Sequence, residues 1–190
     1  MSPANEIQIR QIIANWTKAV VFHIDFTLTG IIKSDKYCII AGMKAYLFGW
    51  NPLKFAWADL DDDIKKLAET GHLEDDWSVI SHKSIKPGDR AYIVRVGVEP
   101  KGVFASGTIA AEAYPAYRNG RHYYRITVAL DVLLNPDKEP ILSLDILKTG
   151  NLAAQNWTPQ ASGISIKPQL VDELEGVWLN FLGSTGKWEI

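Results

Sequence analysis

A tight turn followed by a series of strand-like runs constrains this chain more than any other feature. Lys86-Pro87-Gly88-Asp89 has turn chemistry, with proline fixing φ and glycine free to take φ > 0. The run behind it, Arg90-Ala91-Tyr92-Ile93-Val94-Arg95, is rich in β-branched and aromatic residues. Strands are expected over 90–96 and 102–113, and Tyr123 to Leu134 is the longest strand candidate, closed by Asn135-Pro136-Asp137. Ahead of the turn the pattern predicts a strand over 44–49, a helix over about 57–69 and a loop carrying Trp77. Asp61, Asp62 and Asp63 fall in the first turn of that helix and Lys65 and Lys66 later, as the helix dipole prefers, with Gly71 just past its end. A short helix over Leu144 to Lys148, ended by Gly150, and a last strand over Ile164 to Lys167 follow. Pro168 to Leu182 closes the chain as an amphipathic helix, with Leu170, Val171, Leu174, Val177, Trp178 and Phe181 at helical spacing. Short strands with few helices between them predict an α+β fold built on a small mixed β-barrel rather than βαβ repeats.

A chain of 190 residues holds one sizeable domain, with or without an appendage. No apolar run reaches the roughly 18 residues of a membrane helix, so no membrane partner is expected. The single cysteine, Cys38, excludes an internal disulfide framework and a cysteine-based zinc site. With no signal-peptide pattern at the N-terminus, a cytoplasmic location is expected. The net charge of −2 runs against gripping nucleic acid by bulk electrostatics. The charges are nevertheless unevenly spread. Acids crowd into 59–63 and 74–76, whereas Lys83, Lys86 and Arg90, then Arg118, Arg121, His122 and Arg125, form two basic clusters able to make a local positive face.

Several motifs occur in a family's order. Tyr46-Leu47-Phe48-Gly49-Trp50-Asn51-Pro52 reads as a strand ending in an aromatic and an amide, Trp57-Ala58-Asp59-Leu60 as a helix start, and Trp77 precedes the "IKPGDRAYIVR" and "GVFASGTI" strands. Together with Asn156-Trp157-Thr158-Pro159-Gln160-Ala161-Ser162-Gly163, this order resembles the EVE domain of the PUA-like superfamily, which also contains the YTH and SRA readers of modified bases. The resemblance runs from about Met43 to Leu182 and is nearest to the EVE half of EVE-HNH modification-dependent restriction endonucleases. It implies a PUA-like mixed β-barrel surrounded by short helices over 43–190. Residues 1–42, with an amphipathic stretch from Ile7 to Val21 and a β-like run at Tyr37 to Ile40, fall outside it as an N-terminal extension, either a start-site artefact or a small accessory element.

The same resemblance implies a DNA-binding reader of 5-methylcytosine or 5-hydroxymethylcytosine that flips the base into an aromatic pocket, with an HNH nuclease domain or partner. It assigns Trp77 to the pocket wall, Trp50 and Asn51 to the strand end that reaches the base, and Gln160 and Ser162 to a turn bordering the cavity. Trp157 and Asn156 join this set, an amide being both donor and acceptor. Lys83, Lys86, Arg90, Arg118, Arg121 and Arg125 would hold flanking phosphates. Relatives usually end the first strand in Lys-Ser-Glu-Pro, where this chain has Gly49-Trp50-Asn51-Pro52.

Plainer readings stand beside these. Asn51 before Pro52 is equally a turn residue, the basic side chains are equally solvated surface, and a tryptophan is more often core than ligand wall. Trp57 and Trp178, each expected on a helix among apolar neighbours, read as core. His23, His72, His82 and His122 lack the spacing of a hydrolytic metal site, and no nucleophile elbow, Walker loop or dinucleotide fingerprint occurs. The carboxylates of 61–63 and 74–76 read as capping and solvation rather than magnesium ligands. No catalytic residue, metal or cofactor is therefore expected. Two other functions remain open on sequence: an RNA-binding module of the PUA or YTH kind, and a small-ligand binder using the same pocket.

Overall fold

A computed structural model describes residues 43–118 and 120–186. The N-terminal extension, with its amphipathic stretch and β-like run, lies outside the described residues.

The fold is α+β, a curled mixed sheet with a few short helices, as the PUA-like resemblance implies. Its elements are β1 (Ala45–Trp50), α1 (Leu60–Thr70), β2 (Leu73–Ser78), β3 (Arg90–Arg95), β4 (Gly102–Ile109), β5 (Tyr114–Arg118), β6 (Arg121–Leu133), β7 (Leu142–Ser143), α2 (Leu144–Leu147), β8 (Ile164–Ser165) and α3 (Val171–Ser184). The strand order is β2-β6-β4-β3-β1-β8, with β5 on β6 and β7 on β4. Among the described residues only the β1–β3 pairing is parallel, in the register Ala45 to Arg90 through Trp50 to Arg95.

Burial explains this order. Every residue of β3 is buried, and β1 nearly so, as befits strands covered on both faces. The amphipathic C-terminal helix provides one cover, seating Val171, Leu174, Trp178 and Leu182 in the core. It is also tied by polar groups. Trp178 Nε1 donates to Ser106 Oγ at 2.9 Å, Ser106 Oγ donates to Asp131, and Arg90 bridges Asp131 and Glu175. Tyr92 Oη donates to the same Glu175.

The outer edges of the sheet meet through loops. Beyond β2, Ile80 N donates to Ser162 O at 3.0 Å and Ser81 N to Gly163 O at 3.3 Å, just before β8. Gly163 N donates in turn to Leu47 O at 3.0 Å. Gly163 has φ +69°, and a Cβ there would stand 2.7 Å from Val79 Cγ2, so this junction admits only glycine without rearrangement.

Three expectations change. Trp77 lies on a strand rather than a loop, because Leu73–Ser78 pairs with Leu130–Arg125 of β6 and thereby gains a full ladder. Trp57 precedes α1, which starts at Leu60, so it is not a helix residue. Gly150 opens a 3-10 turn (Gly150–Ala154) beyond α2, whose N-terminus is capped by Ser143 accepting from Ile146 N.

Candidate nucleic-acid interface

The carboxyl ends of the parallel pair β1 and β3 open into a cleft of about 2480 Å³. Its walls come from the loop after β1, the second half of β2, the first half of β6 and the turn before β8. Ligands favour such a position because several chain segments diverge there and leave a crevice.

The floor is aromatic. Trp50 closes β1, and its indole Nε1 donates to Phe55 O at 2.9 Å, folding the following loop back over the strand end. That loop carries Trp57 against the other rings: Trp57 meets Trp50 edge-on at 6.0 Å and Trp77 at 5.9 Å. Phe104 packs beneath Trp50 at 5.3 Å and Phe48 beside Trp77 at 6.1 Å. Trp57 Nε1 donates to Asp63 Oδ2 at 2.8 Å, which fixes the ring from the helix side. Trp50 and Trp77 are buried and Trp57 is half-buried. Trp77 Nε1 is buried and has no hydrogen-bond partner, which leaves a desolvated donor beside the cleft.

The rim carries the charges. Arg118 and Arg121 stand at the exposed tip of the β5–β6 hairpin and Arg125 lower on β6, all three lining the cleft. Across the cleft the Arg118 guanidinium lies 5.9 Å from the centre of the exposed Phe55 ring. Arg125 donates to Asp76 O at 2.7 Å and is half-buried. His82 stacks on Tyr124 at 3.7 Å with the rings 4° from parallel, giving the rim a flat two-ring platform. Asp75, on β2, also lines the cleft, and burial pushes its carboxyl above the ordinary aspartate value. Its neighbour Asp76 differs: although burial opposes it, hydrogen bonds from Tyr114 Oη and Thr127 Oγ1 hold its carboxyl below the usual value.

Of the residues singled out from sequence, Trp50, Asn51, Trp77, Gln160, Ser162, Arg118, Arg121 and Arg125 line this one cleft. Asn51 Oδ1 accepts from Leu53 N at 3.0 Å, so its side chain also serves as a turn residue. Ser162 Oγ accepts from Gly49 N at 3.3 Å. The others lie elsewhere. Trp157 is in the core, 1% exposed, with Nε1 donating to Leu152 O at 2.8 Å, and Asn156 caps a turn by accepting from Thr158 N. Lys83 and Lys86 are exposed on the β2–β3 connection but do not line the cleft. Arg90 is buried in the ion-pair network under α3, where Asp131 and Glu175 outweigh the penalty of burial and keep it charged.

Trp57, Phe55, His82, Tyr123, Tyr124 and Asp75 also line the cleft and were not foreseen as site residues. The density of aromatic residues gave a general signal, but not which rings converge. Among the described residues no group of three or more His, Cys, Asp or Glu is placed to hold a metal ion, and no helix is long and apolar enough to cross a membrane.

No protein-family model matches the chain, and no curated protein does. Solved structures with a similar backbone include protein PSPTO5229 from Pseudomonas syringae, at 15% identity, with 70% of this chain and 99% of that chain covered and a TM-score of 0.48. Protein Rpa0253 from Rhodopseudomonas palustris is 21% identical over 72% of this chain and 92% of its own, with a TM-score of 0.49. Human THYN1, solved in complex with 5-methylcytosine-containing DNA, is 15% identical over 70% of this chain and 96% of its own, with a TM-score of 0.49.

Proposed function

We propose that this domain is a DNA-binding reader of a modified base, 5-methylcytosine or 5-hydroxymethylcytosine, which it holds extrahelically in the tryptophan-lined cleft. The cleft itself carries the proposal: an aromatic floor of Trp50, Trp57 and Trp77 beneath a rim bearing Arg118, Arg121 and Arg125. Aromatic surfaces replace the stacking that a base loses on leaving the duplex, and rim guanidinium groups neutralise the flanking phosphates. The local basic rim answers the objection raised by the net charge of −2, because attraction depends on the field at the cleft rather than on the total.

A methyl group adds only about 0.8 kcal/mol of apolar burial, so selectivity on this reading comes from shape fit around the rings as well. The sequence resemblance to the EVE half of EVE-HNH proteins extends the proposal to a recognition module of a modification-dependent restriction system, in which an HNH domain or partner supplies cleavage. Duplexes differing at one cytosine, unmodified, 5-methyl or 5-hydroxymethyl, titrated at fixed salt alongside the matching RNA, test it. Tighter binding of a modified DNA duplex is expected. Equal affinity for all three duplexes removes the modified-base reading, and tighter binding of RNA replaces DNA with RNA as the partner.

A further inference from the structure

Asp75 sits oddly in a nucleic-acid cleft, since a carboxylate repels phosphates. It does not belong to the solvated acidic face suggested by its neighbours in sequence. Along β2 side chains alternate between faces, so Leu73, Asp75 and Trp77 share one side: Leu73 enters the core, Trp77 joins the aromatic floor, and Asp75 lines the cleft beside it. The other acids nearby are engaged. Asp63 accepts from Trp57 Nε1, and Asp76 accepts from Tyr114 Oη and Thr127 Oγ1. Arg125, whose charge acts on Asp75, donates to the Asp76 main-chain oxygen. Asp75 itself accepts from Asp76 N through Oδ1 at 2.9 Å, a bond that steers the carboxylate while leaving acceptor capacity. The orphaned Trp77 Nε1 lies two residues along the same face. Asp75 thus brings an acceptor with capacity to spare to the cleft wall that it shares with Trp77.

We infer that Asp75 reads the exocyclic amino group of the base held in the cleft, and so selects an amino-bearing pyrimidine over its keto counterpart. The inference rests on the reader function proposed above and adds which edge of the base is read. An ionised carboxylate accepts and cannot donate, so it pairs with the N4 amino group of cytosine and opposes the O4 carbonyl of thymine. Aimed at a base edge, the carboxylate stays away from the phosphates, which the rim arginines face instead. Burial raises its pKa, as expected for a carboxyl held partly out of water.

Thymine is the natural probe, because it carries the same 5-methyl group as 5-methylcytosine and differs in having O4 where the cytosine has its amino group. The affinity ratio for 5-methylcytosine over thymine, each opposite guanine in the same duplex, is measured for the wild type and for Asp75→Asn. Easier flipping from a T·G mismatch biases both proteins equally and cancels in the comparison. Asparagine keeps an Oδ1 acceptor for Asp76 N and adds an amide donor for O4, so the ratio is expected to fall roughly tenfold or more. A ratio changed by less than about twofold, well below the discrimination a base-edge contact gives, overturns the role of Asp75. If the wild type does not distinguish methylated from unmodified duplex, the modified-base function fails by itself, and the cytosine-to-uracil ratio then tests Asp75 with the same two outcomes. Absence of DNA binding overturns both.

Discussion

Replacing Gly163 with alanine is expected to open the junction at which the two ends of the sheet meet. Two costs arise at this position. The backbone there has φ +69°, and forcing an L-residue into the left-handed region costs roughly 1–2 kcal/mol. The new methyl would also stand 2.7 Å from Val79 Cγ2 and 2.9 Å from Val79 Cα, inside van der Waals contact and partly against backbone. Overpacking of this kind costs typically about 1–3 kcal/mol. The sum is about 2–5 kcal/mol, a large part of the stability of an ordinary domain. Gly71→Ala supplies the control, because Gly71 has φ +65° but nothing within 4 Å of its would-be Cβ, so it bears the backbone cost alone. Urea unfolding of both variants, followed by tryptophan fluorescence, should show Gly163→Ala destabilised by about 1–3 kcal/mol more than Gly71→Ala. Equal destabilisation would refute the claim that Gly163 is required by the close approach of Val79. The junction also sets the cleft, since Ser162, Val79 and Ile80 line it, so Gly163→Ala should weaken DNA binding beyond what the unfolded fraction explains.

Two arginines that look alike in sequence should separate by assay. Arg121→Gln is expected to weaken DNA binding whatever the sequence and to reduce the slope of log K against log salt by about 0.9, with melting unchanged. Arg90→Met is expected to destabilise the fold by about 3–5 kcal/mol in urea, because it strands the largely buried Glu175 of α3. Asp75 should make stability depend on pH. Its folded pKa is raised above the unfolded value near 3.8, chiefly by burial and further by the charges of Asp63 and Asp76, with the hydrogen bond from Asp76 N and the charge of Arg125 opposing. The folded state therefore binds the proton more tightly, and stability contributed by this group falls as pH rises from about 3.8 through the folded pKa. Asp75→Asn should accordingly raise the melting temperature at pH 7 relative to wild type, with the gain shrinking towards pH 4; an unchanged difference across that range would count against the buried carboxylate.

Much of the fold could be read in the chain because local chemistry and tertiary structure agree. The Lys86–Asp89 turn forms as its residues dictate, with Gly88 at φ +90° and Asp89 N donating to Lys86 O at 3.1 Å. The C-terminal helix seats the face that its periodicity marked. β2 could not be read in this way. Leu73-Glu74-Asp75-Asp76-Trp77-Ser78 has weak intrinsic strand preference and looks like a polar loop, and only pairing with β6, far along the chain, makes it a strand. The basic residues illustrate the same limit, since sequence places Arg90 in a cationic cluster whereas the sheet turns it inward to Asp131 and Glu175.

The sequence by itself determined the class of fold, the turn and helix chemistry, and the presence of tryptophans and arginines enough to build an aromatic cleft with a charged rim. Which of them do so was decided by tertiary structure alone. Trp57, expected in the core, is brought against Trp50 and Trp77, while Trp157 is sent inside to donate to Leu152 O. The reason is that a side chain's direction is set by the pairing of its strand and the path of its loop. Those depend on residues brought together from across the chain, whereas composition and local period record only what each segment would do alone.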